Sequence, residues 1–286
     1  MSTHAAVVTA LVGGPLQLLH VPTIAPREGE EFVTLPWFLL GKIPFGISPE
    51  QAVTLPNNFV TVFHAATTHL DLESPWAKPD EFVPRHKDAC ILIWGGSSSV
   101  GQYAIQSLTY YGYTNIVTTA SKSHHSLLQE LGAAHTLDYR DGDIVASILS
   151  ASTEAAANST RKEQRSPSIP FILDCIGSQK GSLAPLAQIA QKGARVAVLL
   201  PVIVRDAEVD IAPEYSMDVK ASAPWIEGVE IRGVRTHFYL NNPLFKAKLQ
   251  SEIMPTLLGK GIVKPNKIKI VEGKTLLERA QRHLMR

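Results

Sequence analysis

The sequence predicts an α/β protein built on a doubly wound parallel sheet, preceded by a short β-rich segment. Two observations predict the sheet. A glycine- and serine-rich turn at residues 95–101 joins a short apolar run to a helical pattern. Strand and helix patterns then alternate along the rest of the chain, as they do in parallel βαβ units.

The first strand is predicted at residues 89–94, where Ile91, Leu92 and Ile93 form a continuous apolar run. Such runs are typical of strands buried on both faces of a sheet. A helix follows from Val100. Further strands are predicted at residues 115–119, 135–138, 171–175, 194–200 and 229–234, and further helices at residues 181–191 and 243–258.

Residues 151–168 interrupt this alternation with a polar stretch that is poor in apolar side chains. We expect the end of a helix followed by a mobile surface loop. The sheet needs strands from both sides of this stretch, so it is not predicted to be a domain linker. Its basic residues, Arg161, Lys162 and Arg165, are expected to be solvated.

The turn reads Gly96-x-Ser98-x-x-Gly101, which matches the G-x-G-x-x-G dinucleotide fingerprint except for the serine in the middle. A helix that begins there directs free N–H groups and its positive dipole end at the turn, where a pyrophosphate can bind. The alternative is an ordinary strand-to-helix turn in which serine caps the helix.

The second strand ends without the Asp or Glu that would bind the ribose of NAD. A hydroxyl-rich and cationic cluster follows instead, formed by Ser121, Lys122, Ser123, His124 and His125. This cluster favours NADP, with Lys122 as the best partner for the 2′-phosphate. The alternative is that Ser121 caps the next helix and that Lys122 is merely solvated.

Composition excludes several other classes. The chain has 27 basic and 26 acidic side chains, a net charge of +1, so no nucleic-acid or membrane partner is predicted. The apolar stretch at residues 5–19 is too short to span a bilayer and is a poor signal peptide, so we expect a cytoplasmic protein. Neither the two cysteines, Cys90 and Cys175, nor the histidines have metal-ligand spacing. A hydride-transfer enzyme built on this chain would work without zinc.

Four ordered motifs carry a family resemblance: residues 91–101, Thr119-Ala-Ser-Lys122, residues 131–141 and Asp174-Cys-Ile-Gly177. Together they resemble the medium-chain dehydrogenase/reductase superfamily. Within it, they are similar to the zinc-free, fungal-type quinone and trans-acting enoyl reductases that accompany polyketide synthases. The resemblance covers residues 89–282. It implies a remnant of a GroES-like substrate domain with its connecting segment at residues 1–66, a Rossmann dinucleotide-binding domain at residues 67–260, and a C-terminal segment at residues 261–286 that returns toward the N-terminal remnant.

The resemblance also implies roles for individual residues. Asn58 and Thr61 are predicted to approach the substrate or the nicotinamide, although Thr61 could equally be a buried helix hydroxyl bonded to the backbone. No general acid is identified. The implied NADPH contacts are Ser97, Ser98, Ser99, Val100, Gly101, Ser121, Lys122, Ser123, His124, Tyr139, Leu199 and Leu200.

The sequence departs from the family pattern at both ends. Residues 1–30 resemble only the opening hairpin of the β-rich, GroES-like substrate domain, and the pattern resumes at residues 31–36. We expect a truncated remnant of that domain, short by about 60–90 residues, a larger piece than ordinary loop variation. Residues 1–40 are then expected to be partly detached or irregularly packed. The family's final strand is also expected to be missing after Arg286.

Two classes of function follow. The first is an NADPH-dependent oxidoreductase that transfers hydride to an activated C=C bond or a quinone in secondary metabolism. Its partner would be a small-molecule substrate, including an acyl chain bound to a polyketide synthase, and either a monomer or a homodimer fits. The second is a non-catalytic NADPH-binding or interaction protein, or an incomplete gene product, that has lost the substrate domain.

Overall fold

The computed structural model describes residues 3–9, 16–22, 36–157, 167–208 and 211–284. In its N-terminal part, β1 (Thr3–Thr9) and β2 (Leu16–Pro22) pair in antiparallel fashion, as the predicted opening hairpin requires. Residues 23–35 lie outside the described ranges, so the expected irregular packing of residues 1–40 stays a prediction.

Two helices precede the sheet. Ser48 caps α1 (Pro49–Ala52), because its hydroxyl accepts a hydrogen bond from the Gln51 amide at 3.3 Å. A proline also begins α2 (Pro56–His64), which continues as a wider π-type turn over Ala65–His69. Proline is tolerated at a first helical position because the amide there has no intrahelical partner. This continuous helical stretch crosses the predicted domain boundary at residue 66, and that boundary stays a prediction.

In the described residues, eight more strands follow: β3 (Ile91–Trp94), β4 (Ile116–Thr119), β5 (His135–Leu137), β6 (Phe171–Asp174), β7 (Arg195–Leu199), β8 (Val202–Arg205), β9 (Glu214–Ser216) and β10 (Glu230–Val234). Six of them form one parallel sheet in the order β10-β7-β6-β3-β4-β5. These six match the predicted strands to within two residues at each end. A separate antiparallel hairpin of β8 and β9 had not been predicted.

Helices connect the strands of the sheet and follow its last strand. The helical stretches predicted at residues 181–191 and 243–258 are confirmed, each with a π-type turn beside regular helix. The basic residues of the predicted loop, Arg161, Lys162 and Arg165, lie outside the described ranges. The helices are α3 (Ser99–Tyr111), α4 (His125–Glu130), α5 (Ile144–Ala157), α6 (Ala184–Ile189), α7 (Pro243–Lys248), α8 (Met254–Gly259) and α9 (Leu276–Leu284).

Helices cover both faces of the sheet and create two hydrophobic cores. Ile91 and Ile93 of β3 face the core that contains α2 and α3, whereas Leu92 and Trp94 face the core that contains α5 and α6. All four side chains are at most 3% exposed. Burial on both faces explains why this strand is apolar throughout and does not alternate with polar residues.

The strand order places a binding crevice at the centre of the sheet. From β3 the chain moves outward to β4 and β5, then returns to β6 on the other side of β3 and moves outward to β7 and β10. Ligands of doubly wound sheets bind at the carboxyl ends of the strands, where the order reverses. Within the ranges that the structure describes, no helix is long and apolar enough to cross a membrane.

Candidate functional site

The glycine turn lies at the carboxyl end of β3, on the central crevice. Gly95 has a φ of +86°, which residues with a Cβ rarely adopt. A Cβ on Gly96 would clash with the hydroxyl of Thr118 in β4, and a Cβ on Gly101 would clash with the Gly95 carbonyl oxygen. Glycine is therefore needed where the turn bends and where α3 packs against it, as in the dinucleotide fingerprint.

Ser98 is the capping residue of α3. Its hydroxyl accepts a hydrogen bond from the Gly101 amide at 3.1 Å and donates one to the Gly95 carbonyl at 2.8 Å. The capping alternative therefore describes this side chain correctly. Capping and ligand binding are compatible here, since the cap satisfies only one of the orphan amides at the start of the helix.

Three amides of the turn remain unpaired. In the part of the chain that the structure describes, the backbone N–H groups of Ser97, Ser99 and Val100 form no hydrogen bond. These donors lie at the positive end of a 13-residue helix. Unpaired amides at a helix N-terminus fit a pyrophosphate group.

The predicted NADP cluster follows β4. Ser121 lies at a cap position but forms no capping hydrogen bond, and its hydroxyl is 3.4 Å from that of Ser123. Lys122, Ser123 and His124 are exposed. Among the described residues, the Lys122 ammonium pairs with no carboxylate. Tyr139, 49% exposed, lies just past the neighbouring strand β5. The structure thus brings these predicted residues to one edge of the sheet, and their contact with a cofactor stays a prediction.

An ion pair that the sequence reading missed lies beside this cluster. Arg140 Nη2 is 2.6 Å from Asp138 Oδ2, and Arg140 Nε donates to Asp138 Oδ1 at 2.9 Å. The Asp138 side chain is buried and the Arg140 side chain is 59% exposed. The hydrogen bonds from the Arg140 side chain hold the pKa of Asp138 well below its usual range, and the backbone of Lys122 contributes to the same effect.

A second cleft lies at the carboxyl ends of β7 and β10, on the far side of the crevice. Its volume is about 400 Å³. The predicted contact Leu199 ends β7, and Leu200 forms part of the wall. The full lining is Leu200, Pro201, Met217, Val234, Arg235, Thr236 and His237.

A pair of threonine hydroxyls links this cleft to α2. Thr61 Oγ1 donates to the Asn57 carbonyl at 2.7 Å and lies 2.8 Å from Thr236 Oγ1. Thr61 is 2% exposed, so its hydroxyl reaches the cleft only through Thr236. Asn58 is half-buried, and its side-chain amide donates to the Thr54 carbonyl at 3.3 Å. The predicted substrate contacts of Thr61 and Asn58 stay predictions.

Asp174, at the end of β6, fixes the turn that lies between the glycine turn and this second cleft. One carboxylate oxygen accepts from the amides of Ile176 and Gly177 at 2.9 and 3.2 Å, and the other accepts from the Ser182 hydroxyl at 2.6 Å. Burial raises the Asp174 pKa to about 6 although these hydrogen bonds oppose it. The turn places Ile176 against the face of Gly95 where a Cβ would be.

The segment after α8 closes over the start of α3, which the sequence reading also missed. The Asn266 amide donates to the Tyr103 hydroxyl at 3.3 Å, and the Asn266 side chain hydrogen-bonds the Ser99 hydroxyl. The Lys264 amide donates to Gln106 Oε1 at 2.8 Å. This segment therefore shapes one wall of the predicted pyrophosphate site.

The side chains of two histidines pack against each other at the end of α2. The rings of His64 and His69 meet edge to face with centroids 4.9 Å apart. Burial lowers the pKa of both, that of His69 to about 4, so both rings are neutral at pH 7. Across the described ranges, no group of three or more His, Cys, Asp or Glu side chains is placed to hold a metal ion.

Three curated fungal proteins share a segment with this chain. A zinc-type alcohol dehydrogenase-like protein of Schizosaccharomyces pombe is 34% identical over 125 residues, 44% of this chain and 35% of the relative. Trans-enoyl reductase tazE of Aspergillus terreus is 38% identical over 110 residues, 38% of this chain and 34% of the relative. The dual trans-enoyl reductase/FAD-dependent monooxygenase tazHJ of the same species is 28% identical over 226 residues, 79% of this chain and 29% of the relative. The chain matches about a third of the length of each.

Solved structures share the fold. The enoyl reductase CurK superposes with a TM-score of 0.57 at 19% identity, covering 85% of this chain and 60% of CurK. A mutant enoyl thioester reductase of Candida tropicalis gives a TM-score of 0.56 at 14% identity, covering 94% of this chain and 64% of that one. At these identities the likeness establishes the fold alone. No protein-family model matches the chain.

Proposed function

We propose that this chain is an NADPH-dependent oxidoreductase of the medium-chain dehydrogenase/reductase superfamily and that it reduces an activated C=C bond. The observation that carries the proposal is the set of unpaired amides of Ser97, Ser99 and Val100 at the central crevice of a doubly wound sheet. The sequence similarity to two trans-enoyl reductases supports the choice of reaction.

The residues of the turn bind the pyrophosphate in this proposal. The free amides donate to phosphate oxygens, and the dipole of α3 favours their negative charge. Lys122 pairs with the 2′-phosphate at the outer edge of the site, since it is exposed and no carboxylate in the described part of the chain neutralises it. These two contacts fix the cofactor across the carboxyl ends of the strands.

The cleft at the ends of β7 and β10 holds the reacting groups. A nicotinamide bound there supplies the hydride. Leu200, Met217 and Val234 line the cleft with apolar surface that excludes water from the hydride path. The Thr236 hydroxyl is held by Thr61, so the side chains of Arg235 and His237, which also line the cleft, are the donors proposed to polarise a substrate carbonyl. The reaction is therefore proposed to need no zinc.

The substrate class is an α,β-unsaturated carbonyl compound, such as an enoyl thioester on a polyketide synthase or a small quinone. Hydride transfer to such a compound leaves negative charge on the carbonyl oxygen. The cleft is lined mainly by apolar side chains, as expected for an acyl chain.

Steady-state assays test this proposal. We expect NADPH oxidation with a short enoyl thioester or an enone, unchanged by a zinc chelator, and a loss of about tenfold in NADPH affinity for Lys122→Ala. Lys220→Ala, at an exposed lysine outside the predicted cofactor contacts, is the matched control. NADPH binding without turnover of any activated alkene or quinone would refute the proposed enzymatic activity. It would support the alternative, a non-catalytic NADPH-binding protein. Turnover abolished by the chelator would refute the zinc-free mechanism.

A further inference from the structure

The ion pair of Asp138 and Arg140 bears on how the chain distinguishes NADPH from NADH. Enzymes that prefer NAD use a carboxylate to accept hydrogen bonds from the adenosine ribose. Asp138 is the acidic side chain at the end of β5, next to the loop that carries Lys122.

The carboxylate of Asp138 is not available to a ribose. Oδ1 accepts from the Arg140 amide at 3.1 Å and from Arg140 Nε at 2.9 Å, while Oδ2 accepts from Arg140 Nη2 at 2.6 Å. The side chain is only 4% exposed. Asp138 therefore presents no free acceptor on the outer surface and serves as an anchor for Arg140.

Arg140 keeps donors on its outer side. Its Nη1 forms no hydrogen bond to any of the described residues, and the side chain is 59% exposed. A guanidinium that is held on one side by a carboxylate loses little conformational freedom when the other side binds a phosphate. The cation also lies 5.6 Å from the ring centroid of Tyr139, which further restricts it.

The loops after β4 and β5 bring this guanidinium to the predicted NADP cluster. The Ala120 amide donates to the Leu137 carbonyl at 2.9 Å, and the backbone of Lys122 contributes to lowering the Asp138 pKa. The exposed cations of Lys122 and Arg140 therefore flank one edge of the site. We propose that Arg140, anchored by Asp138, binds the 2′-phosphate together with Lys122 and makes the chain selective for NADPH. This inference rests on the proposed function.

The test compares dissociation constants for NADPH, NADH and 2′,5′-ADP, measured by calorimetry on the full chain. We expect Arg140→Ala to weaken NADPH and 2′,5′-ADP by about tenfold and to leave NADH within about twofold, because only the first two carry the phosphate. The NADPH affinity of Arg140→Lys should lie between those of the wild type and Arg140→Ala. Lysine keeps the positive charge but lacks the planar guanidinium that can donate two hydrogen bonds to one phosphate.

Arg205→Ala is the matched control. Arg205 is an exposed arginine paired with Glu214 at 3.4 Å on the β8–β9 hairpin, and its loss should change none of the three constants. If the wild type prefers NADPH and Arg140→Ala keeps the full preference, the role of Arg140 is refuted while the proposed function stands. If the wild type binds neither NADPH nor NADH, the proposed function itself is refuted.

Discussion

The hydroxyl of Ser182 donates to the carboxylate of Asp174 at 2.6 Å, and both side chains are fully buried. This contact ties the turn after β6 to the helical stretch that follows it. Because Asp174 also accepts from the Ile176 amide, one carboxyl group sets the shape of the turn that packs against Gly95 and so borders the predicted cofactor site.

The Asp174 carboxyl should make stability depend on pH. Its folded-state pKa is about 6, above the value near 4 of an unfolded chain. The stabilisation that the protonated carboxyl group provides is therefore fully present below about pH 4. It is lost as the pH rises through about 6. In the wild type, we expect this group to lower the unfolding free energy by about 2–3 kcal/mol between pH 4 and 7. The variant Asp174→Asn should not show this fall.

Urea unfolding at several pH values measures this effect. Asp206→Asn is the control, since Asp206 is exposed and its replacement should leave the pH profile unchanged. A difference between wild type and Asp174→Asn that stays constant across this range would contradict the prediction.

The glycine at position 101 should be irreplaceable. A Cβ there would meet the Gly95 backbone, which cannot move without distorting the turn. Gly101→Ala is expected to lower the unfolding free energy by about 2 kcal/mol or more and to abolish NADPH binding. Gly142→Ala, where a Cβ would find open space within 4 Å, should change neither. Unfolding curves and a nucleotide titration of both variants decide the matter, and normal binding by Gly101→Ala would show that the close approach of α3 is not required.

Replacing the serines of the turn one at a time should show which of them caps α3. Ser98 makes the capping hydrogen bond, so Ser98→Ala should cost about 1 kcal/mol of stability. The Ser97 hydroxyl forms no hydrogen bond to any part of the chain that the structure describes, and Ser97→Ala should cost less than about 0.5 kcal/mol. Equal losses for the two variants in thermal or urea unfolding would argue against the capping geometry.

The threonine pair should matter for turnover more than for cofactor binding. Thr236→Val removes the hydroxyl that meets Thr61, with an expected stability loss of about 1 kcal/mol. Because Thr236 lines the cleft, we expect kcat to fall by about tenfold while the NADPH dissociation constant stays unchanged. Thr256→Val, a half-buried threonine on α8, is the control. An unchanged kcat for Thr236→Val would remove Thr236 from the reacting end of the site.

The strands of the sheet were predictable because burial on both faces leaves a local mark. The apolar run of Ile91, Leu92 and Ile93, followed by glycine, could be read without knowledge of the fold. The β8–β9 hairpin was missed because only Leu200 and Pro201 separate Val202–Arg205 from β7, and its partner Glu214–Ser216 has no glycine turn before it. Nothing local distinguished this pairing from an irregular loop.

The site was predictable only where one short segment supplies it. The turn at residues 95–101 is local, so its role could be inferred from the order of its residues. Thr61 and Thr236 are 175 positions apart, and Asn266 meets Ser99 over 167 positions, so only the folded chain brings them together. Arg140 was missed for a different reason, since a nearby Asp and Arg can as easily be two solvated charges.

A calorimetric titration of the wild-type chain with NADPH and with NADH tests the central claim, that the turn at residues 95–101 and the cations beside it bind NADPH. We expect one NADPH per chain, bound at least about tenfold more tightly than NADH. Absence of binding by both nucleotides, or equal affinity for the two, would contradict it.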